Sequence, residues 1–194
     1  VLAGGHVLDV GANVGYTATV FARAVSPGYR VFAFEPEPLN FARLERVIAR
    51  HGLESSITAV RTAIGDEDGT VPLWRNPDHP GDHRVAAGGD LIVPIARLDT
   101  FAENLAPVKF VKIDVQGHEL AVSRGMTGLI ERDAALEVSF EYTGSDELIR
   151  FYVERGFRLQ VLGRDGALLP FDKGNDVIRT RGYCEVLATR TNRP

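Results

Sequence analysis

The chain has 194 residues, 44% apolar and 25% charged, the proportions of a soluble globular protein able to bury a sizeable core, so one domain spanning 1–194 is expected and extensive disorder is excluded. Lys and Arg number 22 against 26 Asp and Glu, a formal charge of −4 without the basic excess of proteins that live on phosphate backbones, so nucleic acid is not an expected partner. Cys184 is the single cysteine, which excludes an intrachain disulfide and a Cys-rich zinc site, and no apolar run approaches the about 18 residues of a membrane span.

With no membrane partner and no signal-type leader, a cytoplasmic location is expected. The chain does not begin with Met and its first strand comes almost at once, so further native residues are expected upstream.

Short apolar runs rich in Val, Ile and Phe alternate with helical patterns, the signature of a parallel sheet covered by helices. A strand from His6 to Val10 ends in Gly11-Ala-Asn13-Val-Gly15, and a helix with Tyr16, Val20, Phe21 and Ala24 on one face runs to Ser26-Pro27-Gly28. A second strand, Arg30 to Phe34, leads through Glu35-Pro36 into a helix that starts near Pro38, carries Phe41, Leu44 and Ile48 inward and ends at Gly52. A third strand is expected from Ile57 to Ile64 and an edge strand from Val71 to Trp74.

Residues 75–90 hold prolines and glycines without periodicity and read as a long flexible surface loop able to close over a site as a lid. Leu91 to Ile95 and a short helix near Thr100 to Leu105 precede the most apolar strand, Lys109 to Val115. A helix from His118 to Glu131, a strand from Ala135 to Phe140 and a helix from Asp146 to Arg155 follow. Phe157 to Leu162 and Tyr183 to Thr189 are the last strands, joined through turns at Gly163–Gly166 and Gly174–Asn175 and therefore antiparallel.

The glycines of Asp9-Val-Gly11-Ala-Asn13-Val-Gly15 sit where a chain turns sharply from strand to helix and leaves its backbone open to a ligand. A dinucleotide fingerprint would place glycines at 11, 13 and 16, but Asn13 and Tyr16 occupy two of those positions. The turn matches instead the Asp-x-Gly-x-x-x-Gly pattern of S-adenosylmethionine-dependent methyltransferases. Glu35, at the end of the second strand, stands where a carboxylate can accept both ribose hydroxyls.

Along nearly its whole length the chain resembles the FkbM-type methyltransferases, through Leu8–Gly15, Phe34-Glu-Pro36, Ala63-Ile-Gly-Asp66, Leu98-Asp99 and above all Phe110-Val-Lys-Ile-Asp-Val-Gln-Gly-His-Glu119. That resemblance implies an α/β class I methyltransferase (Rossmann-like) fold. Its sheet would be seven-stranded and mostly parallel, of order 3-2-1-4-5-7-6 with an antiparallel last strand and helices on both faces. It also implies S-adenosylmethionine as cofactor and O-methylation of a hydroxyl on a sugar, natural product or other small-molecule acceptor. The expected cofactor contacts are Asp9, Gly11, Asn13, Gly15, Thr17, Glu35, Pro36, Ala63, Ile64 and Asp114. Gln116 stands where many members carry Glu, which removes one candidate carboxylate.

Methyl transfer needs alignment of acceptor oxygen with an activated carbon, and a general base would add about 10²- to 10⁴-fold. The candidates are Asp114, Glu141 and His118. Lys112 shares a strand face with Asp114 and Gln116 and reads as a buried partner for a carboxylate. No metal site is expected: Asp78, His79, Asp82 and His83 lie in a loop without fixed geometry, and a magnesium ion between Asp114 and Glu141 is not favoured over a metal-free site. The competing readings are an NAD-type oxidoreductase or epimerase and a catalytically silent cofactor-binding domain.

Overall fold

Strand β1 (His6–Val10) has all five residues buried, the pattern of a central strand covered on both faces. A computed structural model describes residues 4–105, 107–163, 166–172, 180 and 182–190. Around β1 lie β2 (Val31–Phe34), β3 (Ile57–Val60), β8 (Val108–Ile113), β9 (Glu137–Tyr142), β10 (Phe157–Leu162), β11 (Leu168–Pro170) and β12 (Cys184–Arg190). They form one sheet of order β11-β10-β12-β9-β8-β1-β2-β3. The strands from β9 to β3 pair in parallel, and β12 is antiparallel to both β9 and β10.

Among the described residues the sheet thus has eight strands, one more than the seven expected. After β10 the chain reverses at Gly163, whose N–H donates to the Ala167 carbonyl at 2.7 Å, and β11 pairs back along β10 at the edge. The expected turn at Gly174–Asn175 lies outside the described residues.

Alternation along the strands sorts the core into two layers. Leu8, Val10, Phe34, Val111, Ile113, Val138 and Phe140 face α4 (Glu119–Arg124), α5 (Thr127–Arg132) and α6 (Asp146–Glu154). Val7, Val31, Ala33 and Ile57 face α1 (Tyr16–Ala24) and α2 (Pro38–Arg50). Helix α1 buries Ala18 and packs Phe21, Ala22 and Val25, whereas Tyr16 and Val20 are 80% and 48% exposed. The buried face is therefore turned from the expected one, which shares only Phe21 with it, and at the helix start Gly15, left-handed at φ 90°, leaves no room for a side chain beside Leu44 of α2.

The expected third strand is two. At Thr62, whose N–H donates to the Val60 carbonyl at 3.0 Å, the chain leaves the main sheet, and β4 (Ala63–Ile64) pairs with β7 (Leu91–Ala96). With β5 (Gly69–Trp74) and β6 (Arg84–Val85) these form a second sheet, β4-β7-β5-β6, over its own small core of Ala63, Val71, Leu73, Val93 and Ile95.

The segment 75–90 is not without regular structure. It contains β6, the Arg75 guanidinium closes its ends on Asp90 at 2.7 Å, and Asn76 donates from its backbone to His83 Nδ1 and from its side chain to Asp82. The expected short helix is α3 (Leu98–Phe101), and β9 extends to Tyr142, so Glu141 lies within the strand rather than closing it.

The helix expected over 118–131 breaks into α4 and α5 at Gly125. A Cβ there would lie 1.8 Å from the Gly65 carbonyl oxygen, and Asp99 restarts the helix by accepting from the N–H groups of Gly128 and Leu129. No helix among the described residues is long and apolar enough to cross a membrane. Because Gly125 seals β4 against α4, Gly125→Ala is expected to lower unfolding free energy by about 1–3 kcal/mol, the usual cost of overpacking. A urea midpoint equal to that of the parent would refute this contact.

Candidate active site

The carboxyl ends of β1, β2 and β8 open on the point where strand order reverses, the place where open α/β sheets bind ligands. Gly11, at φ 82°, turns the chain away from β1, and its N–H and that of Ala12 both donate to the Phe34 carbonyl. A Cβ at Gly11 would sit 1.9 Å from the Asp114 carbonyl oxygen, so the glycine is required by the approach of β8 and not only by a ligand.

Glu35 caps β2 and is 5% exposed. One carboxylate oxygen accepts from Asn13 N–H at 2.9 Å and the other from Glu37 N–H at 2.8 Å. Desolvation pushes its pKa up to about 7 against these two hydrogen bonds, with the charges of Glu37 and Asp9 adding to the rise.

A cavity of about 650 Å³, counting its open mouth, runs past this carboxylate. Gly11, Asn13, Asp114 and Gln116 give it a polar side at the ends of β1 and β8, while Phe34, Ala63, Ile64, Leu73 and Val85 give it an apolar side at the second sheet. Pro80, Gly81 and His83 of the segment 75–90 close it, anchored where Asn40 of α2 donates to the Pro80 carbonyl at 2.8 Å.

Behind the polar side lies a charge cluster. Asp9 and Lys112 are register partners on β1 and β8, with Nζ 3.7 Å from Asp9 and 3.1 Å from Asp114, and Gln116 donates to the other Asp114 oxygen at 3.1 Å. Asp9 is fully buried and neither of its oxygens has a hydrogen-bond partner among the described residues. Desolvation raises its pKa to about 6, with Lys112 opposing the shift. Burial by itself would lower the Lys112 pKa, but Asp9 and Asp114 outweigh it and hold the ammonium above its ordinary value.

Farther along this sheet face, Glu141 and Glu185 are register partners on β9 and β12, and Ser139 hydrogen-bonds Glu185. Burial raises both glutamate pKa values.

Of the residues singled out from sequence, Gly11, Asn13, Glu35, Pro36, Ala63, Ile64, Asp114 and His118 line the cavity. Asp9, Gly15, Thr17 and Glu141 do not: Asp9 is sealed behind Lys112, Gly15 packs on Leu44, Thr17 lies one turn into α1, and Glu141 sits on the next strand. Sequence reasoning missed Asn40, Leu73, Val85 and Glu185, whose roles arise from long-range packing. Asp82 and His83 spend their polar atoms on Asn76 and Arg84, and among the described residues no His, Cys, Asp and Glu side chains are grouped to hold a metal ion.

Residues 9–159 match the model of the methyltransferase FkbM domain. The chain belongs to the FkbM methyltransferase family. Over 126 residues it is 30% identical to a hexuronic acid methyltransferase of Haloferax volcanii, an alignment covering 63% of this chain and 50% of that relative. The fold is shared with a methyltransferase FkbM from Methylobacillus flagellatus, at TM-score 0.65 and 16% identity over 97% of this chain and 44% of the other. It is shared as well with an rRNA methylase from Streptococcus thermophilus, at TM-score 0.58 and 11% identity over 97% and 88%.

The FkbM match decides against the NAD-type alternative, and the chain spans about half the length of that hexuronic acid relative. Members of the family use S-adenosylmethionine, and the cavity of this FkbM domain fits it: a fixed carboxylate for a diol lies between an apolar side for a flat heterocycle and a polar side for an amino-acid moiety.

A carboxyl whose folded pKa is raised binds its proton more tightly folded than unfolded, so its contribution to stability falls as pH rises from the unfolded to the folded pKa. The stability of the parent relative to Glu35→Ala should therefore increase as pH is lowered from 8 to about 4.5, by up to about 3 kcal/mol for the displacement from 4.5 to about 7. Paired urea titrations across that range would check it, and a pH-independent difference would overturn the assignment.

Proposed function

We propose that this FkbM domain transfers a methyl group from S-adenosylmethionine to a hydroxyl oxygen of a sugar or other small-molecule acceptor by in-line displacement. The observation that carries the reading is Glu35, a buried carboxylate that two backbone N–H groups hold in the wall of the cavity, where it can accept from a ribose diol. The proposed cofactor contacts are Gly11, Asn13, Glu35, Pro36, Ala63 and Ile64, with Asp9, Gly15 and Thr17 supporting the turn from behind.

The cofactor supplies a methyl carbon already activated by a sulfonium, so the protein's task is to align an acceptor oxygen with it and exclude competing water. Asp114 is the candidate base that lies on the polar side of the cavity, and its side chain is 40% exposed. Each of its oxygens accepts one hydrogen bond, from Lys112 or Gln116, and retains a lone pair for the acceptor hydroxyl. Asp114 would take the acceptor's hydroxyl proton as that oxygen is methylated and pass it on to solvent. Glu141 stands outside the cavity and acts through the local field.

The acceptor class is supported by the hexuronic acid relative and by the net charge of −4, which disfavours a polyanion. The fold alone does not discriminate, since an rRNA methylase shares it. Incubation with methyl-labelled cofactor and separate panels of glycosides and RNA fragments tests the reading. Label is expected in glycosides as an alkali-stable ether, whereas label in RNA, or an alkali-labile ester, would overturn it, and binding without turnover of any acceptor would favour the silent domain. Asp114→Asn, which keeps shape and removes charge, is expected to lower turnover by at least about 10²-fold while S-adenosylhomocysteine affinity changes by less than about threefold. Glu141→Gln should cost turnover less than about tenfold in the same assay.

A further inference from the structure

Residues 76–83 form one side of the cavity as a unit bonded within itself. Asn76 ties it together: its side-chain oxygen accepts from the N–H groups of Asp78 and His79 at 3.0 and 3.2 Å, its amide donates to Asp82 at 2.9 Å, and its backbone N–H donates to His83 Nδ1 at 3.1 Å. The Asp82 N–H closes the loop on the His79 carbonyl at 3.0 Å. Two ion pairs that do not line the cavity, Arg75 with Asp90 and Arg84 with Asp82, pin its ends.

Its attachment to the rest of the domain is slight by comparison. Among the described residues, the single hydrogen bond from 76–83 to a residue outside 75–90 runs from Asn40 Nδ2 of α2 to the Pro80 carbonyl, at 2.8 Å. Asn40 is buried, and its Oδ1 accepts from Arg43 at 3.2 Å, which fixes the amide with its donor toward Pro80. Beyond Pro80 the segment reaches the β1–α1 turn, where a Cβ at Gly81 would lie 3.4 Å from Asn13 Nδ2. Asn13 also holds Glu35, so the segment joins two elements that flank the carboxylate proposed to take the diol. It has open space on both faces: Pro80 and His83 line the cavity on the inner side and, with Leu39, Trp74 and Pro77, a cleft on the outer side. A wall one loop thick, cross-bonded within itself and held to the body by one hydrogen bond, can swing as a unit at the cost of little more than that bond.

Resting on the reading of this cavity as the cofactor site, we propose that residues 76–83 are a strap over the nucleoside part of the cofactor, latched by Asn40, and that the cofactor enters and leaves when the latch opens. Asn40 is then a gating residue. The latch joins protein to protein and leaves the ligand out, so the same bond breaks for entry and for exit, and its strength enters both barriers. A residue that merely touched the ligand would act on exit alone.

The test is surface plasmon resonance of S-adenosylhomocysteine on the parent, Asn40→Asp and Asn40→Ala. Asp keeps the shape of the side chain and the oxygen that faces Arg43 while removing the donor to Pro80, and Ala removes both. Each variant is expected to speed association and dissociation together, by about three- to tenfold, in line with loss of one hydrogen bond, while the equilibrium affinity changes by less than either rate. Faster dissociation at an unchanged association rate would overturn the latch and make Asn40 a ligand contact, and two unchanged rates would overturn the strap. If the parent itself fails to bind S-adenosylhomocysteine, it is the cofactor reading that fails.

Discussion

The site depends on one buried ammonium. Lys112 bridges Asp9 on β1 and Asp114 just beyond β8, across the seam where the two central strands separate. Asp9 is fully buried and the ammonium nearly so, which makes both costly to desolvate, and neither Asp9 oxygen has a hydrogen-bond partner among the described residues. Removing one member of such a cluster typically costs about 3–5 kcal/mol because the partner is left charged and uncompensated. The compensation is structural as well as electrostatic: with Lys112 in place, Asp114 is held on one oxygen, Gln116 holds the other, and the carboxylate is fixed at the cavity's polar side. Gln116 adopts a left-handed φ of 54° to do this, a conformation that the following Gly117 continues without strain.

Much of this was legible in the sequence because it is local. The strand–turn–helix units at 6–24 and 30–50, the carboxylate at 35 and the position of Asp114 at a strand end follow from periodicity and from residue types at fixed spacing. What was not legible depends on contacts between distant segments. Nothing near Ile57–Ile64 announces that Ala63 and Ile64 pair with Ile95 and Ala96 in another sheet, so two strands read as one. Gly125 looked tolerable inside a helix because the obstacle to its Cβ is a carbonyl 60 positions away in the chain. Tyr16 and Val20 fit an amphipathic pattern, yet the packing of α1 on the sheet through Ala18, Phe21 and Ala22 leaves both exposed.

The same distinction explains the site residues. Gly11, Asn13 and Glu35 carry their signal in their own turn, and the cavity contains them. Asp9 and Gly15 belong to the same motif, but their work is done from behind it, on Lys112 and on Leu44. The polar run of 75–90 read as solvated loop, whereas Asn76, Asp82, His83 and Asp90 satisfy one another and the neighbouring arginines, and so hold Pro80 and Gly81 in the cavity wall. Composition describes how polar a segment is and does not describe whether its polar groups meet water or each other.

Glu35 and Asp9 share a further property that bears on how the domain holds a ligand. Both are buried carboxyls with pKa values raised to about 7 and about 6, so each bears a charge only at a cost set by desolvation. They differ in what relieves that cost. Asp9 is already compensated by Lys112 inside the protein and is not among the residues that line the cavity. Among the described residues Glu35 has two backbone N–H donors, and it lines the cavity, so hydrogen-bond donors on an entering ligand would stabilise its charged form further. A diol supplies two such donors at one position. Of the two carboxyls, the one that lacks a neighbouring ammonium is thus the one that faces the cavity.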